Sequence, residues 1–386
     1  MSRRDTEPVG AGAIGEPARE PVVQPVLAVN AGSSSLRLDL IAGTARAAEG
    51  LHHRGDVENE EALLRGYLGG LSPRRPRAVV HRLVHGGLPF SDPVRIDDGV
   101  MAKLEELTPL APLHLPRALR LVRAARRLLA DVPQVAVFDT GFFSDLPTVA
   151  ATYALPRALC DRLGLRRFGF HGLAHAAMWQ TFADGTRRQG RVITLQLGSG
   201  CSAAALLDGR PLDTSMGFTP TEGLIMATRS GDLDPGLVTH LVRTMGFGPD
   251  EMDRLLNTQS GLAGLSQLGG DIRQLLGSPA PAAQLAVNAF CYRVRKYIGA
   301  YAAVLGGLDA VVFGGGIGEN SPEVRARCLE GLGFLGLAID PTRNQQARGT
   351  AEIGQPDAPA AIWTVAVDEA AQMAREALTV LQPPQA

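Results

Sequence analysis

The hydrophobic and polar positions of this chain predict short buried strands that each run into a glycine turn. The segment PVLAVNAGSSSLRLDLIAG predicts a strand over residues 26–29, a polar turn, and a second strand with alternating leucines. RAVVHRLVHGG, at residues 77–87, predicts another strand that enters a glycine turn, and QVAVFDTGFF, at 134–143, predicts an apolar strand ending at Asp139. Between them, residues 100–129 are mostly helical in pattern, with an interruption at LAPLHLP.

The pattern then restarts, which predicts a duplicated fold. GRVITLQLGSGCSAAALLDGRPLD, at residues 190–213, again predicts a strand, a glycine turn and a strand, and a helix-rich block follows. LDAVVFGGGIGENS, at 308–321, runs a strand into glycines and a helix start, and AAIWTVAVDEAAQMAREALTVL closes with a strand and a helix. Two similar α/β halves, each opening with a glycine hairpin, predict two domains with a cleft between them.

Composition narrows the class of protein. The 386 residues exceed what one core usually supports, and a net charge of −1 predicts neither nucleic acid nor membrane as a partner. There is no apolar run of about 18 residues, so no transmembrane helix is expected. The scattered cysteines favour a reducing cytoplasm over a disulfide or metal framework. Residues 1–24 lack the apolar core of a signal peptide and predict a disordered tail.

Three glycine-rich turns are candidates for holding phosphate. NAGSSS contains Asn30, Gly32 and the serines at 33–35, LGSG contains residues 198–200, and FGGGIGEN precedes a helix. Backbone N–H groups and hydroxyls in such a concavity bind phosphate oxygens, although a single Gly/Ser turn is usually only a turn. A turn of this kind in each half, together with the glycine run before a helix, is more specific evidence for phosphate binding. P-loop and protein-kinase motifs are absent from the sequence, and GGGIG has the wrong spacing for a dinucleotide fingerprint.

Phosphoryl transfer also needs cations on the phosphoryl oxygens and a carboxylate for Mg²⁺. Arg82 and Arg229 lie in polar loop contexts, and Asp139 and Glu369 each follow an apolar strand. A structural salt bridge remains the alternative for each arginine, and a helix N-terminal cap remains the alternative for each acid.

His171 and His175 lie four residues apart, which places them on one helix face. A zinc site would need a third ligand and usually the glutamate of HExxH, and neither is visible. LGSGCS lacks the GxSxG elbow of a serine hydrolase. The sequence therefore favours a place for this pair in a phosphoryl-transfer cleft, with His175 either supporting the loop or satisfied as a structural histidine.

The segments that carry these features resemble, in order, the acetate kinase family: VNAGSSSLR, HRLVHGG, LAPLH, FDTGFF, RFGFHGLAH, DTSMGFTPTEGLIMATRSGDLDPG, GLSQLGGDIR and FGGGIGENS. The match runs from about Val26 to the last helix, and the block at 213–235 is nearly diagnostic. The resemblance implies an α/β fold of two duplicated actin-like ATPase (ribonuclease H-like) domains with an interdomain cleft. Residues 25–147 with 369–386 would form the first domain, and 148–368 the second.

The resemblance also implies an activity. It is the reversible, direct in-line transfer of a phosphoryl group from ATP to acetate, giving acetyl phosphate and ADP. The implied cofactor is Mg²⁺, for which Mn²⁺ can substitute. The implied partners are acetate or another short-chain carboxylate, ATP and a second copy of the chain in a homodimer, in the cytoplasm.

Residue by residue, the resemblance assigns catalytic roles to Arg82, Arg229, Asp139 and His171, with Gln196 at the position of a phosphate-contacting histidine. Arg82 would also bind the substrate, in a small apolar pocket formed by Val84, Leu113, Phe170 and Pro220. Asn30 and Glu369 would hold the metal. The nucleotide-binding positions would be Arg37, Gly198, Ser199, Gly200, Asp271, Ile272, Arg273, Gly314, Gly315, Gly316, Ile317, Gly318 and Asn320.

Several positions depart from the family pattern. They are Gln196 and Ser199 in QLGSG for HLGNG, Leu173 and Ala174 in HGLAH for HGTSH, Arg37 for a lysine, and Leu115 in LHLP for LHNP. Gln196 cannot become cationic, and losing one charge-assisted contact costs about 1.5–3 kcal/mol, which predicts a slower but active enzyme. Leu173 and Ala174 would shift the acyl pocket or its rim.

Two alternatives remain open. The first is a kinase for propionate or butyrate, because one methylene discriminates by only about 1–3 kcal/mol. The second is a divergent nucleotide-binding protein that has lost transfer activity and signals or assembles by cleft closure.

Overall fold

A computed structural model describes residues 25–32, 35–43, 45–54, 59–72, 74–112, 114–187 and 189–381. The predictions for the tail at 1–24, for Ser33 and Ser34, and for Leu113 lie outside the described residues.

The first half of the described chain builds one sheet. Its strands are β1 (Val26–Ala31), β2 (Ser35–Ala42), β3 (Ala45–Arg46), β4 (Leu51–Arg54), β5 (Ala78–Leu83), β6 (Val94–Arg95) and β7 (Gln134–Phe138). The order is β3–β2–β1–β5–β7–β6, and β4 also pairs with β2. β1, β5 and β7 are mutually parallel, whereas β2 and β6 are antiparallel to their neighbours. Its helices are α1 (Glu60–Gly70), α2 (Asp98–Glu106) and α3 (Leu115–Leu128).

The second half repeats this pattern. Its strands are β8 (Arg191–Leu197), β9 (Cys201–Leu207), β10 (Arg210–Thr214), β11 (Ala310–Gly314), β12 (Ala351–Glu352) and β13 (Ala361–Thr364), in the order β10–β9–β8–β11–β13–β12. β8, β11 and β13 are mutually parallel, and β9 and β12 are antiparallel to their neighbours. The matching orders confirm the predicted duplicated α/β fold.

Helices cover the sheets and connect the halves. They are α4 (Thr148–Ala151), α5 (Arg157–Leu163), α6 (Gly172–Thr186), α7 (Pro235–Met245), α8 (Pro249–Thr258), α9 (Gly261–Ser266), α10 (Ile272–Leu276), α11 (Pro281–Leu305), α12 (Gly315–Asn320), α13 (Pro322–Leu329), α14 (Pro341–Gln346) and α15 (Glu369–Leu381). None of the described helices is long and apolar enough to cross a membrane.

The central strands are apolar on both faces because helices cover both sides of the first sheet. Leu27 and Val79 face a core shared with Leu121 of α3, whereas Ala28 and Val80 face a core shared with α15. This burial explains the near-continuous apolar runs in the sequence and fixes the register of each strand.

Helix α6 joins the two halves. Leu173 at its start packs with Met373 of α15 against the first sheet, while Met178 and Phe182 pack with Val312 of the second sheet. Leu173 and Ala174 are fully buried. The structure thus places Leu173 in a core formed with α15 and the first sheet, and the expected effect of Leu173 and Ala174 on the acyl pocket stays a prediction.

Candidate active site

A chain of polar contacts lies at the carboxyl ends of the parallel strands of the first sheet. Arg82, at the end of β5, donates from Nε to Asp139 Oδ1 at 2.8 Å and forms a second, parallel contact with the other oxygen of that carboxylate. Its Nη1 donates to Asn30 Oδ1 of β1 at 3.0 Å. Asn30 Nδ2 then donates to Glu369 Oε2, at the start of α15, at 2.9 Å. Four positions predicted from distant parts of the chain therefore meet in one cluster.

The charge of Arg82 is compensated within this cluster. Burial opposes the charged form, but the carboxylates of Asp139 and Glu369 outweigh that cost and raise the pKa of Arg82. Asp139 is only 1% exposed, so its carboxylate depends on the bidentate arginine for compensation.

His171 is held against this cluster in a strained backbone conformation. It precedes α6 with φ 59° and ψ 28°, which is unusual for a residue with a side chain. The next residue, Gly172, donates its N–H to the Asp139 carbonyl at 2.8 Å. A methyl group on Gly172 would lie 2.3 Å from that oxygen, so only glycine allows this approach. Strain of this kind is retained where surrounding contacts enforce it, commonly at functional sites.

Arg229 faces His171 from the second half. A methyl group placed on Gly200 would lie 3.2 Å from His171 Nε2 and 3.6 Å from Arg229 Nη1, so both nitrogens converge beside this glycine. Nη1 donates to the Pro220 carbonyl at 3.1 Å and contacts Met226 Sδ at 3.8 Å. Among the described residues, no carboxylate lies within ion-pair distance of Arg229. Burial lowers its pKa, and the positive charge of Arg82 contributes in the same direction.

The glycine turn between β8 and β9 lies next to this arginine. Gly198 donates to the Gly200 carbonyl at 3.0 Å, and the Ser199 carbonyl accepts from Ala227 N at 3.0 Å. Gln196 at the end of β8 has a buried Oε1 with no hydrogen-bond partner in the described part of the chain. Its Nε2 would lie 3.1 Å from a methyl group on Gly315, which has φ +75°. An unpaired acceptor at this point marks an incompletely satisfied site.

The predicted acyl pocket is partly assembled. Val84 and Phe170 are buried in one apolar cluster, and Pro220 is half-buried beside Arg229. His85 is fully buried and packs edge-on against Phe168 and Phe170, with ring centroids 4.5 and 5.4 Å away.

The predicted nucleotide segments flank the second sheet. Asp271 caps α10 and pairs with Arg273 at 2.6 Å, and Ile272 between them is buried in the core. The glycines of 314–318 end β11 and form α12 with Ile317 and Asn320. The buried Arg325 donates to the Gly318 and Glu319 carbonyls at 2.8 and 2.9 Å, which fixes the end of that helix. In the first half, the Arg37 guanidinium pairs with Asp39 at 2.8 Å.

Two residues near the site received no role from the sequence. His114 precedes α3, and its pKa is lowered to about 4 by burial and then by the charges of Arg229 and Arg82. Arg117 of α3 pairs with Glu60 of α1 and donates from Nη1 to the Gly32 carbonyl at 2.7 Å. The motif LAPLH contained a signal for His114, whereas nothing in the sequence pattern links Arg117 to the first glycine turn.

Known proteins are similar to this one in sequence and in fold. Residues 74–375 match the model of the acetokinase family. This chain belongs to the acetokinase family. It is 42% identical over 388 aligned residues to the acetate kinase of Clavibacter michiganensis subsp. michiganensis (strain NCPPB 382), covering 92% of this chain and 98% of that protein.

Solved structures agree with this family membership. The acetate kinase of Porphyromonas gingivalis superposes with a TM-score of 0.85 at 35% identity, covering 93% of this chain and all of that one. A propionate kinase from Francisella tularensis subsp. tularensis SCHU S4 superposes with a TM-score of 0.84 at 32% identity, covering 92% of this chain and all of that one. The acetokinase-family match includes Arg82, Asp139, His171, Arg229 and Glu369.

Proposed function

We propose that this acetokinase-family chain catalyses reversible phosphoryl transfer between ATP and acetate. The observation that carries the proposal is the difference in charge compensation between the two arginines. Arg82 is compensated by Asp139, whereas Arg229 has no carboxylate partner among the described residues and faces His171 across Gly200. A partly buried cation without a counter-ion stabilises an incoming anion, and acetate and phosphate are both anions.

The proposed roles follow from these contacts. Arg229 draws the anionic substrates to the space beside Gly200, and Val84, Phe170 and Pro220 provide apolar surface for the acetate methyl. Asp139 fixes the guanidinium of Arg82 so that its position does not change as charge moves during transfer. His171 donates from Nε2 to the transferring phosphoryl group, whose charge spreads over its outer oxygens in flight.

Asn30 and Glu369 are the residues that would hold Mg²⁺. Their side chains lie together because Asn30 Nδ2 donates to Glu369 Oε2 at 2.9 Å, and Asn30 Oδ1, which accepts from Arg82, would have to turn toward the ion. Amide and carboxylate oxygens are the hard ligands that this ion prefers. No group of three or more histidine, cysteine, aspartate or glutamate side chains that could hold a metal ion occurs among the described residues. When bound, Mg²⁺ would neutralise phosphate charge.

Nucleotide contacts are proposed for the turn at 198–200, for residues 271–273 and for 314–320. The unpaired Oε1 of Gln196 supports the placement of a polar ligand beside the turn. Arg37 would have to leave Asp39 to reach a nucleotide, so its role is the least direct of the proposed set.

The central experiment traps acyl phosphate with hydroxylamine in the presence of ATP, Mg²⁺ and acetate, propionate or butyrate in turn. We expect product with acetate, and a strong loss of product in Arg229→Gln. Arg254→Gln, which removes an exposed arginine of α8, is the matched control. Product only with a longer acid would move the substrate assignment, and ATP binding without product from any acid would overturn the kinase proposal.

The domain assignment is part of the proposal. Residues 25–147 with 369–386 would form one domain, because α15 packs on the first sheet through Met373 and Ala377. Residues 148–368 would form the other, built on the second sheet. α6 contributes side chains to both cores, so it is a natural pivot for closure over the substrates.

A homodimer is proposed from the surface of α7. This helix has no buried residue, although Leu237, Val242 and Met245 are apolar and 43%, 42% and 61% exposed. A helix face of this kind is stabilised when a second copy covers it. A cytoplasmic location is proposed from the ATP substrate and from the free thiols of the described cysteines.

A further inference from the structure

The histidine pair meets on a serine. Ser202 of β9 is fully buried, and its Oγ lies 2.9 Å from His171 Nδ1 and 2.8 Å from His175 Nε2. His175 is also fully buried, and its Nδ1 lies 2.7 Å from Thr194 Oγ1 of β8. One chain of hydrogen bonds therefore runs from Thr194 through His175 and Ser202 to His171.

Burial keeps both imidazoles neutral. It lowers the pKa of His171 to about 3, with further contributions from the charges of Arg82 and Arg229, and it lowers the pKa of His175 well below its ordinary value. A neutral imidazole carries one N–H and one bare nitrogen, so each ring must donate at one end and accept at the other.

Two directions of donation are conceivable along this chain, and the outer hydroxyl decides between them. In the first, Thr194 donates to His175 Nδ1, His175 Nε2–H donates to Ser202, and Ser202 donates to His171 Nδ1. Every hydrogen from the Thr194 hydroxyl to the Ser202 hydroxyl is then used, and the Nε2–H of His171 is left beside Gly200 for a ligand. In the reverse direction Thr194 would accept, and its own hydroxyl hydrogen would have no acceptor among the described residues, although Thr194 is fully buried.

An unpaired buried hydroxyl costs about 1–3 kcal/mol, so the first direction is favoured. We propose that Thr194, His175 and Ser202 are positioning residues that hold His171 in the tautomer with the proton on Nε2. That N–H is the group that converges with Arg229 beside Gly200. The catalytic consequence rests on the proposed function, in which this N–H donates to the phosphoryl group, whereas the tautomer itself does not depend on it.

The tautomer can be observed directly in the intact protein by ¹⁵N NMR with ¹⁵N-labelled histidine. Protonated and bare imidazole nitrogens resonate in separate ranges, and His171→Asn assigns the signals. We expect His171 with a protonated Nε2 and a hydrogen-bonded, bare Nδ1. A protonated Nδ1 and a bare Nε2 would overturn the proposal.

Variants test the chain of hydrogen bonds itself. Thr194→Val removes the outer donor at similar size and is expected to add a second set of His171 signals, because the two directions then become comparable in energy. Ser202→Ala removes the link, and the His171 Nδ1 signal should move to the value of a bare nitrogen without a hydrogen bond. If both variants keep the wild-type signals, this chain of hydrogen bonds does not set the tautomer of His171, and the proposal is overturned.

Kinetic measurements distinguish a positioning role of Ser202 from a merely structural one. Losing one hydrogen bond to His171 should lower kcat about two- to ten-fold in Ser202→Ala while both KM values stay within about two-fold. Ser202→Thr keeps a hydroxyl and should rescue most of kcat. Ser215→Ala is the matched control, because Ser215 is also buried and, among the described residues, its Oγ accepts only from Ala203 N of β9. Equal kcat losses in both alanine variants would contradict a positioning role. Absence of acyl phosphate in the wild type would count against the proposed function alone.

Discussion

Buried neutral histidines predict steep loss of stability in acid. Burial lowers the pKa of His81, His85 and His114 to about 4 and that of His171 to about 3, and it lowers the pKa of His175 as well. In the unfolded chain each has a pKa of 6.5, so only the unfolded state binds these protons between pH 6.5 and pH 4. Their contribution to stability is complete above pH 6.5 and is lost as the pH falls toward 4.

The magnitude follows from proton linkage. Between pH 7 and pH 5.5, each of these histidines costs the folded state about 1.2 kcal/mol, or about 6 kcal/mol together. Glu376 on α15 acts in the opposite direction, because burial raises its pKa to about 7 and the folded state gains a proton there. That offsets about 1.5 kcal/mol, which leaves a net loss of about 5 kcal/mol. A typical domain has a total of only about 5–15 kcal/mol.

The assay is urea unfolding at a series of pH values from 7.5 to about 5, followed by fluorescence and circular dichroism, with the protein concentration fixed. We expect the free energy of unfolding to fall by about 5 kcal/mol between pH 7 and 5.5. His81→Leu removes one buried titrating ring and should reduce that fall by about 1.2 kcal/mol. His52→Asn, which removes an exposed histidine of β4, is the control. A fall of less than about 2 kcal/mol, or an equal fall in His81→Leu, would refute the linkage.

Four further changes have defined outcomes. Glu376→Gln should remove the contribution of this carboxyl group, which partly offsets the histidines, so the free energy of unfolding should fall more steeply from pH 8 to 6; an unchanged pH profile would contradict the raised pKa. Arg117→Met should raise KM for ATP about ten-fold by freeing the first glycine turn, whereas Arg120→Met on the same helix should not. Gln196→His should raise kcat about ten-fold if it adds a charge-assisted bond, and if turnover and acid preference stay unchanged, position 196 explains neither. Met245→Lys should shift the sedimentation coefficient toward that of a monomer, and an unchanged coefficient would exclude α7 from the interface.

Much of the fold was predictable because its signals are local. Parallel strands covered on both faces must be nearly continuous apolar runs, and the turns that follow them require glycine at positions such as Gly315. The restart of this pattern at residue 190 revealed the duplication, which the matching strand orders confirm. The position of Asp139 directly after β7 followed from the same reasoning.

The contacts within the site were not predictable in the same way because they join distant segments. Asn30 and Glu369 are 339 positions apart and still share a hydrogen bond. Ser202 lies in an apolar strand, and nothing in its neighbours indicates that it bridges two histidines. The packing partners of Leu173 were not predictable for a related reason. On α6, the partners of a side chain depend on which sheet the helix packs against, and the sequence does not give that direction.

The two arginines proposed to be catalytic look alike in the sequence, but the structure separates their electrostatic properties. Arg82 binds both oxygens of Asp139 and the amide of Asn30, so its donors are largely occupied and its charge is balanced before any substrate arrives. Among the described residues, Arg229 donates only to a carbonyl and a thioether, and its charge is opposed by burial. An incoming anion therefore gains more from Arg229, whereas Arg82 mainly preserves the geometry of the first half. In the proposed function His171 lies between these environments as a neutral donor, so it would add a hydrogen bond to the phosphoryl group without adding a third positive charge to a site that already concentrates two.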